Sequence, residues 1–173
     1  MNSLLEILKY VLPALVVLAT AYYLLRLFFE NEQKKRDKDI KMAGYKLVTP
    51  IRLQAYERLV LFLERISPES LVMRVHQSDL TVIQLQTMML KTVREEFEHN
   101  LSQQVYISSK AWELIRTARE EIIKLVNTAA AKVNENATST HLCQKIFELS
   151  LSENQSVNKK ALEFLKNEIR EVF

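Results

Sequence analysis

From Leu4 to Phe29 almost every position is apolar, and from Tyr10 to Leu25 sixteen consecutive positions carry no charge. A run of roughly twenty such residues matches the roughly 30 Å hydrocarbon thickness of a bilayer, so the pattern predicts a membrane-crossing segment. It can cross lipid only as a helix, because a lone strand would leave its backbone donors and acceptors unsatisfied. Pro13 falls in the first turns, where its missing N–H costs least. Tyr10 at one end, and Tyr22, Tyr23, Phe28 and Phe29 at the other, suit interfacial aromatic belts. Arg26 reads as an interface marker, its long stem allowing the guanidinium to reach the headgroups.

The pattern changes at Glu30. Through Lys41 both signs of charge interleave, which predicts that the apolar helix continues into water, supported by Glu30–Lys34 and Asp37–Lys41 pairs at i,i+4 spacing. Gly44 is the expected left-handed stop. A second helix is expected where Thr49 can cap and Pro50 can take the first helical position, running to about Ile66. Leu53, Tyr56, Leu59, Val60, Leu63 and Ile66 lie on one face, and Leu61 and Phe62 widen it. A stripe that broad predicts burial against more than one neighbour.

Ser67-Pro68-Glu69 repeats the cap-then-proline signal and predicts a short helix over Leu71 to Val75. Val82, Leu85, Met89, Val93 and Phe97 then recur at helical spacing between Asp79 and His99, with Ser78 as the expected cap. After an irregular connection from Asn100 to Ile107, Ser108 or Ser109 opens a long helix to about Val133, ended by Asn134-Glu135-Asn136. Thr138 or Ser139 opens another, carrying Leu142, Ile146, Phe147 and Leu149, with Ser150 to Ser156 as an interruption. A final helix aligns Val157, Ala161, Leu165, Ile169 and Val172. The expected fold is therefore all-α: an anchor over 1–29, a charged juxtamembrane helix or linker over 30–49, and a bundle of about four to six helices over 50–173.

Composition reinforces this reading. The chain of 173 residues has one glycine and three prolines, too few for the tight turns of sandwiches and barrels. About 125 residues remain beyond the anchor and linker, enough for one core. The single cysteine, Cys143, forms no internal disulfide, in keeping with a reducing compartment. The net charge of +3 divides as +1 over 1–29 and +2 over 30–49, leaving sixteen basic against sixteen acidic residues over 50–173. A neutral domain argues against nucleic acid as a partner.

Charge also sets orientation. Lys9 precedes the apolar run, whereas Lys34, Lys35, Arg36, Lys38, Lys41 and Lys46 follow it, which places the carboxyl-terminal part in the cytoplasm by the positive-inside rule. Arg26, Lys34, Lys35 and Arg36 are candidate lipid-headgroup contacts. A competing reading is a cleaved leader, since Ala19-Thr20-Ala21 has the small-x-small form of a signal-peptidase site. Against it, the apolar run continues past Ala21 and the positive cluster lies downstream.

Candidate chemistry is thin. Glu96 and His99 share a helical face as in half of a bundle-type di-iron site, but Met73 and Thr138 stand where His76 and His141 would need a glutamate. The expected state of Glu95, Glu96, Glu98 and His99 is a solvated helix end, with no metal and no cofactor. His141 and Cys143, two apart, diverge on a helix. Cys143 reads as a packing residue, with His141 the only sequence-near base should it act as a nucleophile. Asn-x-Ser/Thr triplets at Asn100, Asn136 and Asn154 carry no meaning in a cytoplasmic domain.

The run Arg52-Leu-Gln-Ala-Tyr-Glu-Arg-Leu-Val-Leu-Phe-Leu-Glu-Arg-Ile66 behind a single span resembles a family of uncharacterised short bacterial inner-membrane proteins. The resemblance covers most of the chain; it implies architecture and supplies no activity and no functional residues. The expected function is that of a non-enzymatic membrane adaptor, scaffold or assembly subunit, held in the bilayer through residues 4–29 and binding other proteins or further copies of itself. Tyr56, Phe62, Tyr106 and Trp112 are the candidate partner contacts, because aromatics are enriched in interface hot spots. Two alternatives stand beside it. One is a stalk resembling the b-type subunit of rotary ATP synthases, which requires a long unbroken helix; the other is an enzyme using Cys143 or a metal at Glu96 and His99.

Overall fold

The computed structural model describes residues 2–77, 79–134, 137–152 and 157–172, with side chains throughout except at 2–8, 10, 152 and 172. Ser78, Glu135, Asn136 and the stretch 153–156, which includes Asn154, lie outside the described residues, as do the side chains of Tyr10 and Val172. Among the described residues the chain is all-helical: α1 (Asn2–Ile66), α2 (Pro68–Val75), α3 (Val82–His99), a short 3-10 helix (Leu101–Val105), α4 (Ser109–Ala131), α5 (Ser139–Ser152) and α6 (Val157–Val172). It divides into two compact units, Met1–Thr49 and Pro50–Phe173.

Among the described residues of the first unit the large apolar side chains are exposed. Leu15, Leu18, Tyr22, Leu24 and Phe28 are each more than half exposed. α1 is the one described helix long and apolar enough to cross a membrane, and none of its most apolar stretch is buried. The threonine hydroxyl in that stretch is satisfied from within: Thr20 Oγ1 donates toward the carbonyls of Val16 and Val17, at 3.0 and 2.9 Å. The charged turns pair differently from the expected Glu30–Lys34 and Asp37–Lys41. Arg26 Nε donates to Glu30 at 2.9 Å and Arg36 lies 3.8 Å from Glu32, so the longer, forked arginines take the acids.

The expected stop at Gly44 and restart at Pro50 are both corrected, since helical backbone continues through them to Ile66. Gly44 does not adopt a positive φ. A single helical glycine costs about 1 kcal/mol relative to alanine, and the helix-forming neighbours Met42, Ala43, Lys46 and Leu47 carry the chain past it. Pro50 removes one hydrogen bond, to the Lys46 carbonyl, at exposed positions where water satisfies the freed acceptor.

In the second unit each α-helix contributes to one core. Tyr56, Leu59, Phe62, Leu63 and Ile66 of α1 join Leu71 of α2, Leu85, Met89 and Val93 of α3, Ile115 and Val126 of α4, Leu142 and Ile146 of α5, and Leu165 of α6. The helix starts are chemically marked. Ser67 caps α2 ahead of Pro68, and Ser108 caps α4 by accepting from Ala111 N at 3.1 Å. α3 begins three residues later than expected, because Thr81 and Gln84 form a reciprocal capping box. Asp79 does not open it. Leu53 and Leu61, expected on the buried face, are instead exposed.

Candidate functional site

Arg58 and Arg65 are seven residues apart on α1 and so share one side of it, with Leu61 between them. Arg74 comes from the last turn of α2, and Thr92, Glu95, Glu96 and His99 from one face of α3. Together with Phe62 and Asn100 these side chains line a groove of about 500 Å³.

Glu96 organises it. Its carboxylate accepts from Arg65 Nη1 at 3.2 Å on both oxygens and from Arg74 Nη2 at 2.8 Å, while its own carbonyl accepts from Asn100 Nδ2 at 2.8 Å. The Glu96 side chain is only 15% exposed. This corrects the expectation of a solvated carboxylate at a helix end: two arginines from two other helices take it up. Burial by itself would raise the Glu96 pKa, but hydrogen bonds from Arg74 and then Arg65 outweigh it and hold the carboxyl below the usual glutamate range. A depressed folded-state pKa gives stability that is complete above the unfolded value and lost as pH falls through the folded one. Glu96→Gln is therefore expected to cost about 1–2 kcal/mol at neutral pH. Paired melting curves check it: the gap to the native chain should close in acid, below the usual glutamate range.

The remaining candidates from the sequence scatter. Tyr56 and Phe62, expected to meet a partner, are both in the core, at 0% and 1% exposure, so their size is spent on packing. Trp112 is half-buried and stacks on Phe97, with centroids 5.3 Å apart. Tyr106 is exposed and offers its carbonyl to Arg52 Nε at 3.1 Å. Arg26, Lys34, Lys35 and Arg36 are exposed on α1 in the first unit. Cys143 is buried, and burial pushes its thiol up, which favours the protonated form. His141 faces Thr138 Oγ1 at 2.9 Å. His99 Nδ1 lies 2.9 Å from the Glu95 carbonyl, on its own helix.

Two polar junctions escaped the sequence entirely. Glu168 of α6 accepts from Tyr56 OH at 2.9 Å, from Ser108 N at 3.3 Å and from Ser108 Oγ at 3.1 Å, tying three helices together. Burial first, and Glu168 second, push the Tyr56 phenol up. Ser139 Oγ is buried and 3.3 Å from His76 Nε2, a pairing reminiscent of a serine nucleophile and its base. Its proton, however, goes to the Gln77 carbonyl at 3.1 Å, and the oxygen has no exposed surface, so the pair joins the α2–α3 connection to α5.

No curated protein and no solved structure matches the chain. A family pattern matches residues 2–172, almost the whole sequence, and the chain accordingly belongs to the family of unknown function DUF7935.

Proposed function

We propose that this chain is a single-pass membrane protein of the bacterial inner membrane, its amino end outside and residues 50–173 forming a cytoplasmic helical bundle that binds other proteins as an adaptor, scaffold or assembly subunit. The observation that carries the proposal is a contrast between the two units. Residues 50–173 bury apolar side chains from each of their α-helices in one core, whereas those of Val11 to Phe29 are exposed in a helix of spanning length. Soluble monomers do not leave so many contiguous large apolar residues in water; lipid is the solvent that suits them. The six basic residues between Lys34 and Lys46 support the orientation, and Lys34 and Lys35 remain available to anionic headgroups. Tethering raises the effective concentration of the bundle near partners in the same membrane.

A stalk is the second reading, favoured by one observation. Of the Pro50 and Pro68 breaks that argue against a long helix, the one at Pro50 is absent and α1 is assigned unbroken from Asn2 to Ile66, while the one at Pro68 is present. Against it, Pro50–Phe173 folds its other helices into a core of its own rather than continuing a narrow two-stranded seam.

Gentle detergent extraction after lysine cross-linking tests the proposal. One or more defined membrane or cytoplasmic polypeptides should co-purify with the chain. Recovery of the chain alone, or only with copies of itself, would remove the adaptor reading.

A further inference from the structure

We propose that the Arg58–Arg65–Arg74 groove is the docking site for an acidic, extended segment of a partner protein. The proposal rests on the adaptor reading and supplies the chemistry of its partner.

Charge is the first argument. Residues 50–173 balance sixteen basic against sixteen acidic side chains, whereas the lining of this groove sets Arg58, Arg65 and Arg74 against Glu95 and Glu96. Lys91 lies 3.7 Å from Glu95, and Glu96 is shared between Arg65 and Arg74. Arg58 makes no ion pair among the described side chains, so its charge is uncompensated at the mouth of the groove.

Preorganisation is the second argument. Glu96 holds Arg65 by Nη1 and Arg74 by Nη2, which leaves the other guanidinium donors of both free for a ligand while their positions are fixed. Less side-chain entropy is then lost on binding. Guanidinium forks match carboxylates in two-point geometry, which ammonium groups do not.

The shape selects a chain over a small molecule. Arg58, Leu61, Arg65, Glu95 and His99 are all exposed along the groove, which leaves it open where a small-molecule site would close over most of its ligand. Leu61, 56% exposed between the two α1 arginines, offers an apolar contact at the centre of a cationic rim. A segment of acidic residues around one aliphatic side chain fits that arrangement.

The test uses the full chain in lipid nanodiscs and a fluorescein-labelled peptide of six glutamates flanking a central leucine. Saturable binding at low salt is expected, weakening as salt is raised. Arg58→Glu should reduce affinity at least about tenfold, because it sets like charges against each other as well as removing an attraction. Arg116→Glu, an exposed arginine on α4 outside the groove, should leave it within about twofold. No binding, equal loss in both variants, or full competition by equimolar inorganic phosphate would overturn the proposal. A cross-linked partner that persists with Arg58→Glu would also overturn it while leaving the adaptor reading intact; no partner for the native chain would instead remove the adaptor reading.

Discussion

Arginine at both Leu15 and Leu18 is expected to shift the chain from the membrane pellet to the soluble fraction. Both positions lie within the uncharged run, and both side chains are exposed, so neither substitution touches the core of residues 50–173. Near the centre of a span each leucine-to-arginine exchange costs about 3 kcal/mol on insertion scales, and two together exceed what flanking residues can recover by snorkelling. Fractionation before and after an alkaline wash measures the outcome. Valine at the same two positions should leave the chain in the pellet. Retention of the double arginine variant through the wash would show that residues 11–29 are not what holds the protein to the membrane.

Phe97→Ala should destabilise the folded unit by about 3–5 kcal/mol, the range for truncating a buried aromatic. The Phe97 ring lies 5.9 Å from Phe62 and 5.3 Å from Trp112 between centroids, and Arg119 Cζ sits 4.2 Å over its face. Removing it opens a cavity between α1, α3 and α4. It also removes the aromatic face beneath the Arg119 guanidinium, whose buried Nε has no hydrogen-bond acceptor among the described residues and whose Nη2 keeps only a 3.4 Å contact with Glu120. Against a typical total stability of about 5–15 kcal/mol, such a loss brings a domain near its threshold. Thermal unfolding in detergent checks it. Val105→Ala, at a position 76% exposed, should change stability by less than about 0.5 kcal/mol. Equal melting of the two variants would contradict the assigned core.

What could be read from the sequence was whatever repeats locally. Leu85, Met89, Val93 and Phe97 recur every fourth residue, and that spacing alone puts them on one face, which the structure buries. Ser67-Pro68 and Ser108 announced helix starts through chemistry confined to three or four residues. Errors arose where two local signals competed. Gly44 and Pro50 read as punctuation, but each costs only a few kcal/mol, and the helix-favouring residues on either side outweigh them. The start expected at Asp79 moves to Val82, because Thr81 and Gln84 answer each other across one turn.

The groove and the junctions were hidden for a different reason. Glu96 meets Arg74 and Arg65 across separations of 22 and 31 residues, and Glu168 meets Ser108 and Tyr56 across 60 and 112. Periodicity says which residues are wet or buried, but not which helix lies opposite. Glu96 illustrates this: its stretch of charges looked solvated, and only the packing of α1 and α2 against α3 turns it into an anchor for two arginines. Burial of Tyr56 and Phe62 was hidden in the same way, since an aromatic on a broad helical stripe is equally suited to an interface and to a core.

The proposed topology is an embedded amino-terminal helix with the folded unit behind it on the cytoplasmic side. Protease added to intact spheroplasts, followed by detection of the carboxyl-terminal unit, measures this directly. Residues 50–173 should survive until the membrane is breached and then be digested, with the chain still beginning ahead of Val11. Digestion in intact spheroplasts, or a mature chain that begins near Tyr22, would contradict it.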